Sequence, residues 1–244
     1  MDKSKYFYMK IFGDYAMFTS PSSKASGDRY SYSVPTKEAL RGIIDNCYFK
    51  PSFKNVVDEV RIINKISTES MGARTLLSNG KNDLNQYTYL RDVEYLVKFH
   101  FEWNLDRPDL ENDRNKKKHE DIMQRSIKKG GRRDVFLGTR ECFGFLEEID
   151  ENYYNTAVSY YDNQNISFGI MFNSFIYPVE PSGKLVACYT ETLMEDSVIH
   201  FKDSSDCEIQ SELNTYKFKY PEKIKAVDEE YIEYQSFEDT LWIL

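Results

Sequence analysis

The chain has 244 residues, of which 41% are hydrophobic, and its formal net charge is −8. This size allows one large domain or two modest ones with a real core. No apolar run reaches the roughly 18 residues of a membrane span, and the first residues lack the apolar core of a secretion signal. We therefore expect a cytoplasmic protein with no membrane partner. Its four cysteines and three histidines are widely spaced, which predicts no metal site and no cofactor.

The N-terminal region begins with a strand and a helix. Tyr6 to Phe12 alternates between an apolar and a polar face, as half-buried strands do. Thr36 is the expected N-cap of a helix whose apolar residues recur at helical spacing as far as Tyr48. Lys50-Pro51 then ends this helix, because proline cannot continue it.

The next segment contains two strands and an insertion between them. Val56 to Ile66 reads as a strand, and Tyr89 to Trp103 reads as a long strand with one apolar face. The glycine-containing stretch around 67–88 predicts an irregular loop or an inserted hairpin. By alternation His100 lies on the polar face of the long strand, so we expect it to be exposed and without a special role.

A second helix and a last strand complete the first unit. Asp113 to Lys129 predicts a helix with Gly130 at its C-terminal end. His119 should emerge where this helix leaves the core. Val135 to Leu146 predicts the last strand. The order of strand, helix, strand, strand, helix and strand is typical of an α+β fold of the ferredoxin-like or RNA-recognition-motif type.

The remainder of the chain has a different character. Strand-like segments lie at 166–177 and 184–193, and a short one at 198–201. The residues after them are mostly acidic. We therefore predict two domains: a ferredoxin-like domain over 1–150, and over 151–244 a small antiparallel β-sheet domain that ends in an acidic tail.

A basic segment from Arg114 to Arg133 interrupts this acidic chain. The segment contains nine Lys and Arg residues and only two acidic residues, Glu120 and Asp121. Its net charge is therefore about +7, and the other residues of the chain carry about −15. Such concentrated positive charge favours a polyanion such as nucleic acid; the alternative is a solvated helix face. The predicted RNA-binding residues are Lys116, Lys117, Arg125, Lys128, Lys129, Gly130, Gly131, Arg132 and Arg133. Those around the Gly130-Gly131 turn are expected to contact phosphates away from His119.

The same segment contains residues suited to cutting RNA. When the 2′-OH of RNA attacks the adjacent phosphate, the products are a 2′,3′-cyclic phosphate and a free 5′-OH, and no metal is required. An enzyme must move protons and stabilise charge on phosphorus. His119 is the natural general acid or base, Lys118 can hold the phosphate, and a tyrosine such as Tyr48 can assist the attacking hydroxyl. From spacing alone, a surface His119 packed on Ile122 and a core Tyr48 remain the alternatives.

Six stretches of the chain resemble a known protein family. They are Gly13-Asp14-Tyr15-Ala16-Met17-Phe18-Thr19, Tyr30-Ser31-Tyr32-Ser33-Val34-Pro35-Thr36, Ala39-Leu40-Arg41-Gly42-Ile43-Ile44, Tyr48-Phe49-Lys50-Pro51, Leu90-Arg91-Asp92-Val93-Glu94-Tyr95 and Phe136-Leu137-Gly138-Thr139-Arg140-Glu141-Cys142-Phe143. In this order they are similar to the signature of the Cas-five proteins of CRISPR systems, most closely the Dvulg subtype of type I-C. The resemblance runs from about Phe7 to Phe201.

The resemblance implies a function and a set of site residues. Members of this subtype are pre-crRNA endoribonucleases, whereas other type I Cas-five proteins are generally non-catalytic subunits. The chain is thus expected to cut CRISPR repeat RNA at the 3′ base of its hairpin and to stay with the crRNA in a type I-C surveillance complex. The resemblance assigns catalytic roles to Tyr48, Lys118 and His119, with Lys117 as the competitor of Lys118. Two alternatives stay open: a non-catalytic capping subunit, and a less selective binder of duplex nucleic acid, including DNA.

Overall fold

The structure, a computed structural model of the chain, describes residues 3–21, 23, 27–76, 80–178 and 183–216. Antiparallel strands predominate in it, and the helices are few. The strands are β1 (Phe7–Ala16), β2 (Arg29–Tyr30), β3 (Phe53–Ile62), β4 (Ser67–Leu76), β5 (Asn82–Trp103), β6 (Val135–Phe136), β7 (Phe143–Glu148), β8 (Asn165–Ile176), β9 (Lys184–Glu195), β10 (Val198–His200) and β11 (Ile209–Thr215). The α-helices are α1 (Lys37–Cys47), α2 (Lys116–Lys128) and α3 (Glu151–Thr156), and 3-10 helices lie at Pro108–Asp113 and Ser204–Asp206.

The described strands join in one sheet. Its hydrogen-bonded order is β11-β9-β10-β3-β5-β1-β7-β6, while β2 and β4 pair with β5, and β8 pairs with β9. Among the described pairings only that of β2 with β5 is parallel. The late strand β10 pairs with both β3 and β9, so hydrogen bonding runs on from the first strands to the last. The domain boundary near residue 150 stays a prediction, and most of the predicted acidic tail lies outside the described residues.

The core lies between this sheet and the two longer helices. Alternate residues of β1 are buried as predicted, with Met9 opposite Val97 of β5 and Ile11 opposite Tyr95. Helix α1 packs against β3, α2 packs against β7, and the two helices also contact each other. This mutual contact brings the C-terminal end of α1 close to α2.

Local sequence signals set the ends of both helices. The Thr36 side chain accepts a hydrogen bond from the amide of Ala39, and α1 stops at Tyr48, whose backbone is extended. The Asn115 side chain in turn accepts from the amide of Lys118 at the start of α2. The helix ends with Gly130 at φ +78°, which confirms its predicted role as the C-terminal stop.

Four expectations require correction or refinement. The predicted strand over 135–146 is two strands, β6 and β7, because the chain turns at Gly138, whose φ is +95°. The insertion around 67–88 is a hairpin, since β4 pairs with the first half of β5. The all-β region after residue 150 begins with helix α3.

The fourth correction concerns His100, which is 1% exposed rather than an exposed strand residue. Its Nδ1 lies 2.7 Å from the Asp58 carboxylate, and its Nε2 lies 3.2 Å from Glu102. The ring of Tyr6 packs edge-on against it. Alternation predicted the correct face of the strand, but neighbouring side chains cover that face.

None of the helices in the described part of the chain has the length and apolar content needed to cross a bilayer.

Candidate active site

The candidate site lies where the end of α1 meets the first turn of α2. Tyr48 follows the last residue of α1, and Lys118 and His119 lie one turn into α2. Asn55, on the neighbouring strand β3, donates from its side-chain amide to the Tyr48 carbonyl at 3.1 Å. The backbone of Tyr48 is thus held from two sides, since its own amide also donates to the carbonyl of Ile44.

Tyr48 and His119 are directly hydrogen-bonded. The phenolic oxygen of Tyr48 lies 2.8 Å from Nδ1 of His119. The other ring nitrogen, Nε2, lies 2.7 Å from the backbone carbonyl of Asp113. A carbonyl oxygen can only accept, so Nε2 carries a hydrogen. In the neutral ring the lone pair is then at Nδ1, and the Tyr48 hydroxyl donates to it.

Both rings are buried, which corrects the expectation that His119 emerges from the core. Tyr48 is 3% exposed and His119 is 0% exposed. The rings of Phe53, Phe101 and Trp103 pack edge-on around the imidazole, with centroids 5.3 to 6.4 Å away. Such surroundings exclude water, so the hydrogen bond to Tyr48 is not screened by solvent.

Asp113 organises the polar groups around this pair. Its carboxylate accepts from the Lys118 ammonium at 2.6 Å and from the Ser52 hydroxyl at 2.9 Å. The hydrogen bond from Lys118 holds the pKa of Asp113 below its ordinary value. By the same bond, the pKa of Lys118 is raised. Lys118 and Asp113 are therefore a charged pair at neutral pH.

Opposing effects act on the Tyr48 hydroxyl. Burial, and after it the charge of Asp113, raises the pKa of Tyr48 above its ordinary value. The positive charges of Lys118 and Arg132 oppose this rise. Tyr48 therefore keeps its proton at neutral pH, although two cations are near enough to stabilise its anion.

The structure brings Tyr48, Lys118 and His119 together and favours Lys118 over Lys117. The Lys118 ammonium is held by Asp113 and lies close enough to Tyr48 to affect its pKa. Lys117 is exposed one position earlier on the helix. Successive helical residues point about 100° apart, so Lys117 lies about 100° from Lys118 and about 200° from His119, on the far side of the helix from the imidazole.

Arg132 lies at the site, not away from it as the sequence suggested. Its guanidinium is 4.8 Å from the centre of the Tyr48 ring. Its Nε donates to the hydroxyl of Ser126 at 2.9 Å. Arg132 follows the end of α2 in the chain, but the chain turns back after the helix and returns this side chain to Tyr48.

The turn that reverses the chain is made by Gly130 and Gly131. Their φ angles are +78° and +96°. The amide of Gly130 donates to the carbonyl of Ile127 and that of Gly131 to the carbonyl of Ser126, the pattern of a Schellman helix end. Both amides are therefore occupied by the helix, and neither is available to bind a phosphate.

The other predicted RNA-binding cations lie on the surface of α2 and its C-terminal turn. The exposed ones are Lys117, Arg125, Lys128, Lys129 and Arg133, whereas Lys116 is half-buried. They form a basic surface beside the site. Their contact with RNA stays a prediction.

Sequence reasoning missed Asp113 and Ser52. Asp113 lies two positions before the N-cap of α2, where an acidic residue is common for reasons of helix stability alone. Ser52 lies 61 positions earlier in the chain. Its polar side chain shows no pattern that predicts a contact with Asp113, so only the fold connects them.

Comparison with known proteins relates the chain to CRISPR-associated proteins. A family profile described as CRISPR-associated protein (Cas_Cas5) matches residues 7–201. A solved structure described as that of a CRISPR-associated protein is 49% identical, with a TM-score of 0.76, and the match covers 86% of this chain and 98% of that one.

Two curated relatives are similar at the sequence level. The CRISPR pre-crRNA endoribonuclease Cas5d of Mannheimia succiniciproducens is 29% identical over 168 residues, which cover 59% of this chain and 72% of the relative. The protein of the same name from Thermus thermophilus is 29% identical over 153 residues, which cover 58% of this chain and 63% of the relative. The match thus spans less than two thirds of the Thermus protein.

Proposed function

Because the chain belongs to the Cas5 family of CRISPR-associated proteins, we propose that it is an endoribonuclease that cuts precursor CRISPR RNA. The cut falls within the repeat, at the 3′ base of its hairpin, and requires no metal ion. The observation that carries this proposal is the 2.8 Å hydrogen bond between Tyr48 and Nδ1 of His119, with the Lys118 ammonium beside it. The names of two relatives, both pre-crRNA endoribonucleases, support it.

The proposed reaction is attack by the 2′-oxygen on the adjacent phosphorus. As the new oxygen–phosphorus bond forms, the 2′-OH proton passes to the oxygen of Tyr48, and the Tyr48 proton passes to Nδ1 of His119. The resulting imidazolium is stabilised by Asp113, whose carboxylate lies 3.5 Å from Nε2. Lys118, which Asp113 keeps protonated, supplies a proton to the 5′-oxygen as its bond to phosphorus breaks. The products are a 2′,3′-cyclic phosphate and a 5′-OH.

The arrangement of the first strands and helices suits this role. We propose that β1, α1, β3, β5, α2 and β7 form a ferredoxin-like unit of the RNA-recognition-motif type. The sheet order β3-β5-β1-β7 supports this interpretation, as do the two helices that pack together against it. In such a unit the residues after the first helix and at the start of the second lie close together, as Tyr48 and His119 do.

The proposed partners follow from the reaction. The product crRNA stays bound to the protein after cleavage. The protein acts in the cytoplasm, where it joins the other subunits of a type I-C surveillance complex. The exposed cations of α2 provide a surface for the phosphates of the hairpin stem. A duplex DNA of equal length competes weakly in this proposal, because the hairpin stem is an A-form RNA helix whose shape and 2′-hydroxyls differ from those of duplex DNA.

The deciding experiment is cleavage of the protein's own repeat RNA in EDTA, with both new ends mapped. We expect an upstream fragment with a 2′,3′-cyclic phosphate and a downstream fragment with a 5′-OH. A matched RNA with a single 2′-deoxy nucleotide at the cut should bind equally well and stay intact.

Four outcomes would overturn parts of this proposal. A strict requirement for Mg²⁺ would exclude the metal-independent reaction. Cleavage of the deoxy RNA would show that the 2′-OH is not the nucleophile. Repeat RNA that stays bound but uncut would indicate a non-catalytic capping subunit, and equal binding of duplex DNA would indicate an unselective binder.

A further inference from the structure

Arg132 covers the most buried part of the candidate site. Its guanidinium lies 4.8 Å from the centre of the Tyr48 ring. Arg132 is exposed, whereas Tyr48 and His119 are almost completely buried. Arg132 is therefore a cation that solvent reaches directly beside the buried ring of Tyr48.

Among the described residues, the guanidinium of Arg132 has one hydrogen-bond acceptor, the Ser126 hydroxyl. Nε donates to Ser126, and the Ser126 hydroxyl donates in turn to the carbonyl of Ile122 at 2.9 Å. Ser126 is 3% exposed, so this anchor is shielded from water. The anchor occupies one N–H of the guanidinium. Within the described part of the chain the two terminal nitrogens have no acceptor, so their four N–H groups can bind an anion.

Charge distinguishes Arg132 from Lys118. Lys118 forms an ion pair with Asp113 at 2.6 Å, so the two together carry little net charge. Within the part of the chain that the structure describes, no carboxylate lies at ion-pair distance from Arg132. Arg132 therefore supplies positive charge at Tyr48 that is not offset by any carboxylate of the described residues.

We propose that Arg132 is a catalytic residue of the RNA cleavage described above, on which this inference rests. Its terminal nitrogens donate to the non-bridging oxygens of the phosphate that is cut. While the 2′-oxygen–phosphorus bond forms and the 5′-oxygen–phosphorus bond breaks, the charge on these oxygens rises. Arg132 acts only as a hydrogen-bond donor and transfers no proton, as is general for the guanidinium group in proteins. Its hydrogen bonds strengthen as that charge develops, which lowers the barrier.

The test separates the rate of cleavage from the affinity for RNA. Single-turnover rates are measured at saturating protein, and dissociation constants are measured with the uncleavable 2′-deoxy repeat. We expect Arg132→Gln to lower the saturated rate by about 10²- to 10³-fold, as the loss of a donor to a developing oxyanion does. Its dissociation constant should change far less. Arg132→Lys should recover only part of the rate, because an ammonium cannot donate two parallel hydrogen bonds.

Two control variants lose one positive charge, as Arg132→Gln does. Arg140→Gln, at an exposed position in the turn between β6 and β7, should alter neither quantity. Arg133→Gln, next to Arg132 in the chain, should weaken binding of the uncleavable RNA. Guanidinium ion added to Arg132→Ala should restore part of the lost rate, which also establishes that the rest of the site is intact.

The outcomes distinguish this inference from the proposed function. If the wild-type protein does not cut repeat RNA, the proposed function fails. If the wild type cuts, and Arg132→Gln cuts at the same saturated rate with weaker binding, Arg132 is only a phosphate contact and this inference is wrong. If the rate falls but guanidinium ion restores none of it in Arg132→Ala, the side chain acts by supporting Tyr48, and the catalytic assignment is also overturned.

Discussion

The hydroxyl of Tyr48 lies 2.8 Å from Nδ1 of His119, although the two residues are 71 positions apart. Each belongs to the end of a different helix, and the contact of α1 with α2 brings them together. The Asp113 carbonyl accepts from the opposite nitrogen and so fixes which side of the ring faces Tyr48. A buried, oriented pair of this kind can pass a proton in one direction without a contribution from solvent.

The first prediction is that Tyr48 and His119 act as one unit. Tyr48→Phe and His119→Ala should each slow cleavage by about 10²-fold or more, because each interrupts the same proton transfer. The double variant should be little slower than the slower single variant. Single-turnover rates at saturating protein measure this, and binding of the uncleavable RNA should stay nearly unchanged in all three variants.

Additive losses in the double variant would contradict this interpretation, because independent residues give independent effects. If RNA binding falls as much as the rate of cleavage, Tyr48 and His119 only maintain the structure of the RNA-binding surface. Thermal unfolding of each variant provides the control, since both side chains are buried.

The second prediction concerns the choice between two adjacent lysines. Lys118→Ala should lower the saturated rate strongly, because Lys118 is the lysine that Asp113 holds near Tyr48. Lys117→Ala should weaken RNA binding and affect the saturated rate little. Asp113→Asn should also slow cleavage, since Lys118 would lose its ionic partner. If Lys117→Ala shows the larger loss of rate, the roles are reversed.

The third prediction concerns the basic surface of α2 and its C-terminal turn, to which Arg132 does not belong. Neutralising Lys128, Lys129 and Arg133 together should weaken RNA binding at low salt. Each lost phosphate contact should flatten the log–log salt dependence by roughly 0.7–0.9. The saturated rate of cleavage should persist, because none of these three residues has a described contact with Tyr48 or His119. Unchanged affinity together with an unchanged salt slope would show that this surface is only solvated.

The fourth prediction concerns stability and pH through His100. Burial alone would lower the pKa of His100, but hydrogen bonds and charges from Asp58, and then Glu102, outweigh it and raise the pKa above 6.5. The nearby Lys3 opposes this rise in part. Protonated His100 is thus bound more tightly in the folded state than in the unfolded state. Its contribution to stability is full below about pH 6.5 and is lost as the pH rises through the folded-state pKa.

The measurement is thermal unfolding against pH for the wild type and for His100→Gln. The wild type should unfold at a higher temperature than His100→Gln. This difference in unfolding temperature should be greatest in mildly acidic buffer and should shrink toward alkaline pH. Asp58→Asn should move the midpoint of this change to lower pH. An advantage that grows with pH would show that His100 is neutral in the folded protein.

The fifth prediction concerns Gly138, where the chain turns between β6 and β7. Its φ is +95°, and a Cβ atom there would lie 1.9 Å from the carbonyl oxygen of Met17. That oxygen is backbone and cannot move aside. Gly138→Ala should therefore lower the unfolding temperature strongly. Gly80→Ala is the control: φ is +77°, but no described atom lies within 4 Å of a Cβ placed there, so we expect only a strain of roughly 1 kcal/mol. Equal effects of both changes would show that the contact with Met17 is unimportant.

The sequence by itself determined the local elements and the family. Alternation along β1 and β5, the Thr36 cap and the Gly130 stop are read from neighbouring residues, because strand and helix periods depend on local geometry. The six stretches that resemble Cas-five proteins indicated the family, which the profile match confirms. Tyr48, Lys118 and His119 were named from that resemblance, since spacing alone also allowed a core tyrosine and a surface histidine.

Only the tertiary structure decided how these residues face one another. The burial of His119 beside Tyr48 and the return of Arg132 to the Tyr48 ring both depend on segments that are separated along the chain. His100 shows the same limit, because alternation predicts a face but not what covers it. The physical reason is that side-chain contacts between elements depend on how helices pack on the sheet and on the direction in which a turn returns the chain. Neither is specified by the period of any single element.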